Sequence, residues 1–117
     1  RPEWILTRIE TRLTPGIPDV LMCDEKGTFH FIELKYTTSH VVDLRPHQVA
    51  WLTRHAHSNS WILVRQGDRR GKGDRKTYLY PAAEAMDLRM GGLVRTPLFQ
   101  CDKEVPWAAI FDVMSVK

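Results

Sequence analysis

Asp19, Glu33 and Lys35 are the residues of this chain whose types and spacing could do chemistry together. They bracket two short apolar runs, Val20-Leu21-Met22-Cys23 and Phe29 to Leu34, separated by Asp24-Glu25-Lys26-Gly27. Runs of that length around a turn with glycine where a positive φ is needed read as a β-hairpin. If Asp24 and Thr28 close the loop, counting back along both strands sets Asp19 opposite Glu33, and opposed residues share a face. Lys35 follows Glu33 at the strand period and shares that face as well. Two carboxylates and one ammonium then converge at the open end of a hairpin whose strands are otherwise apolar. Such a set suits hydrolysis of a phosphodiester with a hard divalent cation. Carboxylate oxygens hold Mg²⁺ or Mn²⁺ with positions left for water and phosphate, and the metal acidifies its water while polarising the phosphate. A lysine can orient or deprotonate that water and offset charge on the phosphate. The plainer reading is a loop at Pro18-Asp19 and a cross-face ion pair between Glu33 and Lys35.

The same residues resemble a family. Gly16-Ile17-Pro18-Asp19 followed by Glu33-Leu34-Lys35 resembles the PD-(D/E)xK nuclease superfamily, and within it the small phage and VRR-NUC nucleases and the archaeal Holliday-junction resolvases. The likeness spans roughly residues 8 to 66 and rests on a short motif that needs its structural context. It implies a restriction-endonuclease-like α/β core and a Mg²⁺- or Mn²⁺-dependent DNA endonuclease, structure-selective in the manner of a junction resolvase. It also implies roles: Asp19, Glu33 and the Leu34 carbonyl on the metal, Lys35 positioning the attacking water, Glu10 as a further acidic residue, and Gln48 beside the lysine. For Glu10 the alternative is a solvated glutamate between Arg8 and Arg12, and for Gln48 an exposed glutamine near a helix start. The relatives commonly pair, so a homodimer is implied, with the apolar segment around Trp107, Ile110 and Phe111 as available surface. For a phage-type nuclease the setting is the cytoplasm of the host cell. The rivals from other classes are a non-catalytic nucleic-acid-binding module that keeps the fold, and a structural domain whose acidic cluster is an ion-pair network.

Length and composition agree with a single domain over 1–117. Hydrophobic residues make up 43% and charged residues 26%, ordinary for a globular protein. A net charge of +3 leans toward a polyanionic partner such as DNA. Cys23 and Cys101 cannot build a disulfide framework or a four-cysteine zinc site, which favours a reduced, cytoplasmic setting. His40, His47, His55 and His57 lack a partner pair at ligand spacing and read as solvated. No apolar run approaches a membrane span and no signal-peptide pattern opens the chain, so no membrane partner is expected.

The elements that must position the site follow from periodicity. Alternation over 3–13 reads as a strand, with a short helix through Trp4 and Ile5 as the competing choice. Pro46 suits the first turn of a helix whose apolar face is Val49, Leu52 and Ala56, running until Ser58. Trp61 to Val64 is a continuous apolar run fit for a buried central strand. Gly67 to Lys76 is a glycine-rich basic loop in which Arg69, Arg70, Lys72, Arg75 and Lys76 suit phosphate contacts, the alternative being a solvated hairpin tip. Thr77 to Tyr80 returns as a strand, a helix follows over 82–90 until Gly91-Gly92, and Arg95-Thr96-Pro97 reads as an extended connector. A final helix starts near Trp107 and carries Ala108, Ile110, Phe111 and Met114. The fold expected is α/β: a mixed, mostly antiparallel sheet flanked by two or three helices.

Overall fold

The computed structural model describes residues 5–9, 16–67, 75–94, 96–102 and 107–115. They form one six-stranded sheet in chain order: β1 (Ile5–Arg8), β2 (Val20–Cys23), β3 (Phe29–Thr37), β4 (Ser60–Gln66), β5 (Lys76–Pro81) and β6 (Phe99–Asp102). Neighbouring strands are antiparallel except β3 and β4, which run parallel. A parallel pair needs a long crossover. The connection between these two carries helix α1 (Pro46–Arg54), while α2 (Ala85–Gly91) lies between β5 and β6, and α3 (Trp107–Ser115) comes last. The arrangement is α/β, with three α-helices among the described residues.

Strand alternation sorts the core into two layers. Ile62, Val64, Tyr78 and Tyr80 pack with Val49 and Leu52 of α1 and with Ala85 and Leu88 of α2. Trp61, Leu63 and Leu79, with Met22 and Ile32, pack against Ile110, Phe111 and Met114 of α3. The central strand β4 is thus covered on both faces, which is why its sequence is apolar without alternation.

The hairpin register runs from Val20 opposite Ile32 to Cys23 opposite Phe29. Asp24 N–H donates to the Thr28 carbonyl at 2.9 Å to close the loop, and Gly27 takes φ 82°. Carried one step further, that register sets Asp19 opposite Glu33. The turn is tied down by its own side chain. Asp24 accepts the amides of Lys26 and Thr28, both at 2.9 Å, and lies 3.1 Å from His30 Nε2. Trp61 Nε1 donates to His30 Nδ1 at 3.2 Å, so the ring proton sits on Nε2 and is given to Asp24. Burial works against ionisation of Asp24, but the hydrogen bonds from His30, Thr28 and Lys26 hold its carboxyl below its usual value.

Several boundaries differ from those read in the sequence. The first element is the strand expected, described over Ile5–Arg8, and not the competing helix; as an edge strand it is exposed along its length. Helix α1 ends at Arg54, before Ala56. The His55 ring stacks on Trp51 at 3.8 Å with its Nδ1 2.7 Å from the Trp51 carbonyl, and Ala56 N–H bonds back to Thr53 at 3.3 Å, tightening the last turn. The helix after β5 begins as a 3₁₀ turn, Ala82–Glu84, and Pro81 is the last residue of the strand. Beyond the expected connector lies β6, paired with β5. Ile110 and Phe111 are 1% and 3% exposed under the sheet, so they are spent within the chain and offer no dimer surface; Trp107 remains 44% exposed.

Gly16, at φ 93°, fixes the approach to Asp19 against α1, since a Cβ there would run into the His47 carbonyl oxygen. Gly27 shares the positive φ but faces open space. Gly27→Ala should cost about 1–2 kcal/mol in urea denaturation, and Gly16→Ala more, because the backbone of α1 must also move. Equal losses would mean that the contact with His47 is loose.

Candidate active site

The parity of β3 sends Glu33 and Lys35 to the face covered by α1, and the third residue of that helix, Gln48, meets them there. Gln48 Nε2 donates to Glu33 Oε2 at 3.1 Å. Its Oε1 accepts from Lys35 Nζ at 2.9 Å and from the Arg45 backbone N–H at 3.0 Å, so the helix start fixes the amide and the amide fixes both charges. Lys35 Nζ lies 3.6 Å from Glu33 Oε2, a longer approach than its bond to Gln48. Asp19, half-buried at the end of the hairpin, accepts the Leu34 backbone N–H through Oδ2 at 3.0 Å.

Glu33 is 2% exposed. Its second oxygen, Oε1, is buried and has no hydrogen-bond partner. Burial first, and then the negative charge of Asp19, push the Glu33 carboxyl up from 4.5 to about 7, while Lys35 pulls the other way. A carboxyl poised there is shared between protonated and ionised forms at neutral pH, the range in which acid–base and metal-binding groups are useful.

Asp19, Glu33, Leu34, Lys35 and Gln48, read from the sequence as one set, lie together. Glu10, Arg69, Arg70 and Lys72 lie outside the described residues. Ile9 N–H donates to the Asp19 carbonyl at 2.7 Å, so the chain just before Glu10 runs beside Asp19. Arg75 and Lys76 are exposed where β5 begins, and Lys76 pairs with Gln66 at the end of the sheet that also carries Lys35. The histidines join no metal cluster, and among the described residues no group of three or more His, Cys, Asp or Glu side chains is set to hold a metal ion. Two carboxylates nevertheless fit a small hard cation, which binds through one or two of them and keeps waters and phosphate for the rest; the bare Glu33 Oε1 is an oxygen with nothing else to bind. Cys23 and Cys101 are both free.

Two features went unread in the sequence. A cavity of about 420 Å³ opens beside Asp19, lined also by Leu6, Arg8, Val20 and Leu34. The Asp24–His30–Trp61 chain was likewise unseen, although His30 alternates with Ile32 and stands opposite Met22, a pattern that points inward. No family model, curated protein or solved structure matches this chain. The functional reading therefore stands on the geometry of these residues.

A carboxyl whose pKa is higher folded than unfolded binds its proton more tightly in the native state, so stability falls as pH rises from about 4.5 to about 7. Glu33→Gln keeps an acceptor for Gln48 and removes the charge. It should raise stability at pH 8 by about 1 kcal/mol or more and have little effect below pH 4. Denaturant melts at the two pH values check this; a variant less stable than wild type at pH 8 would contradict it.

Proposed function

We propose that this chain hydrolyses phosphodiester bonds in DNA with Mg²⁺ or Mn²⁺, using a restriction-endonuclease-like core of the PD-(D/E)xK type. One observation carries the reading: Gln48 holds Glu33 and Lys35 at once, at 3.1 and 2.9 Å, at the hairpin end where Asp19 stands opposite. Lys35 also pairs with Glu33 Oε2 at 3.6 Å, as an ion-pair network would have it. What favours a site is the shorter bond to Gln48 at 2.9 Å and the second, buried Glu33 oxygen without a hydrogen-bond partner.

In this reading Asp19, Glu33 and the Leu34 carbonyl would hold the cation, which lowers the pKa of bound water and polarises a phosphate oxygen. Lys35 orients the attacking water and offsets the negative charge that builds on the phosphate as the P–O bond breaks. Gln48 keeps the ammonium at that post. Glu10 is the candidate for a further acidic ligand, and the basic segment through Arg69, Arg70, Lys72, Arg75 and Lys76 for contacts along the backbone. A twofold pair of copies, each cutting one strand, would suit a duplex or a junction, through a surface other than Ile110 and Phe111. A phage-type nuclease of the host cytoplasm completes the picture. No helix among the described residues is long and apolar enough to cross a membrane.

A Mn²⁺-dependent nicking assay on supercoiled and branched DNA tests the reading. Lys35→Ala should lose about two to four powers of ten in rate, and Gln48→Ala a smaller share, because the ammonium is then present but no longer held. With Mn²⁺ well below saturation, the wild-type rate should climb with pH through about 7, because the ion must displace the Glu33 proton to bind. A Lys35→Ala protein that keeps a third of the wild-type turnover would remove the lysine from the mechanism.

A further inference from the structure

Helices α1 and α2 pack on the same face of the sheet, and a groove of about 680 Å³ lies between them, larger than the cavity beside Asp19. Helical spacing builds its walls. Val49 and Ala50 of α1 share a face, and Met86, Arg89 and Met90 of α2 follow one another at i, i+3 and i+4. Val49 belongs to the buried core and forms the floor, while Met86 is 53% and Met90 78% exposed. An apolar strip open to water in a concave place marks a binding surface more often than a scattered exposed side chain does.

Two cations border that strip, Arg54 from α1 and Arg89 from α2. Each stands in the last turn of its helix, where a cation offsets the exposed carbonyls. That placement does not neutralise them. Neither guanidinium has an ion-pair or hydrogen-bond partner among the described residues, and no carboxylate of the described residues lines the groove. The occupant that completes it is therefore apolar along its middle and anionic along its borders. Methionine and arginine are both enriched where proteins meet, and the unbranched methionine side chain adapts to the surface it receives.

Charge and shape together select among occupants. A second copy docking this groove on itself about a twofold axis would set four guanidiniums together, and like charges oppose that pairing. A DNA backbone would meet the arginines but leave the apolar floor with nothing to cover it. A flat lipid surface could not reach Val49. A helix laid between two helices fits, because its side chains interlock with theirs and its apolar stripe can carry carboxylates on both flanks, one for each wall.

We propose that the groove between α1 and α2 is the docking site for an amphipathic helix of a partner protein, with an apolar stripe bordered by Asp or Glu. The proposal stands apart from the nuclease reading, since Asp19, Glu33 and Lys35 take no part in it.

The test uses three labelled synthetic peptides: one with leucines at i, i+3, i+4 and i+7 bordered by glutamates, the same stripe bordered by lysines, and the first peptide in scrambled order. Fluorescence anisotropy follows each with the whole chain. The wild type should bind the acidic striped peptide about tenfold more tightly than either of the others. Arg54→Gln with Arg89→Gln should erase the preference for glutamate over lysine, and Arg54→Glu with Arg89→Glu should reverse it. Met86→Gln with Met90→Gln should weaken the acidic striped peptide about tenfold, as expected for loss of two apolar contacts. All four positions are exposed, so the fold should survive; circular dichroism checks this, and if the glutamate pair unfolds the glutamine pair decides. Equal affinity for the three peptides, binding of none, or arginine variants that keep the glutamate preference would overturn the proposal. So would light scattering that shows a dimer broken by the methionine changes, or anionic lipid vesicles that displace the peptide from the groove.

Discussion

A carboxylate with 2% of its surface exposed, facing another carboxylate, is the constraint around which this molecule is arranged. Removing a charge from water is expensive unless it is paired and hydrogen-bonded. Glu33 is only partly compensated. Gln48 satisfies one oxygen, Lys35 approaches to 3.6 Å, and the other oxygen has no partner, so the group retains its proton up to about pH 7. A fully paired glutamate would have been cheaper for folding. In the proposed function this partial compensation has a use, since a divalent ion would take over the neutralisation that the proton otherwise supplies.

Keeping Glu33 there requires contributions from distant parts of the chain. The parallel pairing of β3 with β4 forces a crossover, and the crossover brings the first turn of α1, with Gln48, over β3. Gly16 lets the chain pass against that same turn on its way to Asp19. The far end of the hairpin is pinned by Asp24 and His30 to Trp61 on the central strand, which fixes the register and with it the pairing of Asp19 with Glu33. A slip of one residue would send the glutamate to the opposite face. The hairpin turn and the site thus form one mechanical unit.

Much of this was legible in the sequence where local rules are strong. The turn at Asp24 to Gly27 has one economical closure, so the hairpin register followed from counting, and the apolar run Trp61 to Val64 identified the strand that is covered on both faces. Gln48 was placed near Lys35 by resemblance, while its hydrogen bonds to both charges depend on the crossover, which no local pattern encodes. Strand β6, Phe99–Asp102, escaped because a four-residue edge strand of half-buried and exposed residues has too little pattern to separate it from a connector. The end of α1 was misread because His55 and Trp51 close the helix with a ring stack, whereas the apolar face continued on paper to Ala56. A cavity between Tyr36 and Trp107 draws its walls from β3, β4, β5 and α3, and so exists only once the sheet is assembled.

Calorimetric titration of Mn²⁺ at pH 6 and pH 8, on wild type and Asp19→Asn, tests the central claim most directly. The wild type should bind at both pH values and more tightly at pH 8, releasing close to one proton at pH 6 as Glu33 exchanges its proton for the ion. Asp19→Asn, with one carboxylate charge removed, should bind far more weakly. No divalent-cation binding by the wild type at pH 8, or equal binding by Asp19→Asn, would contradict the account.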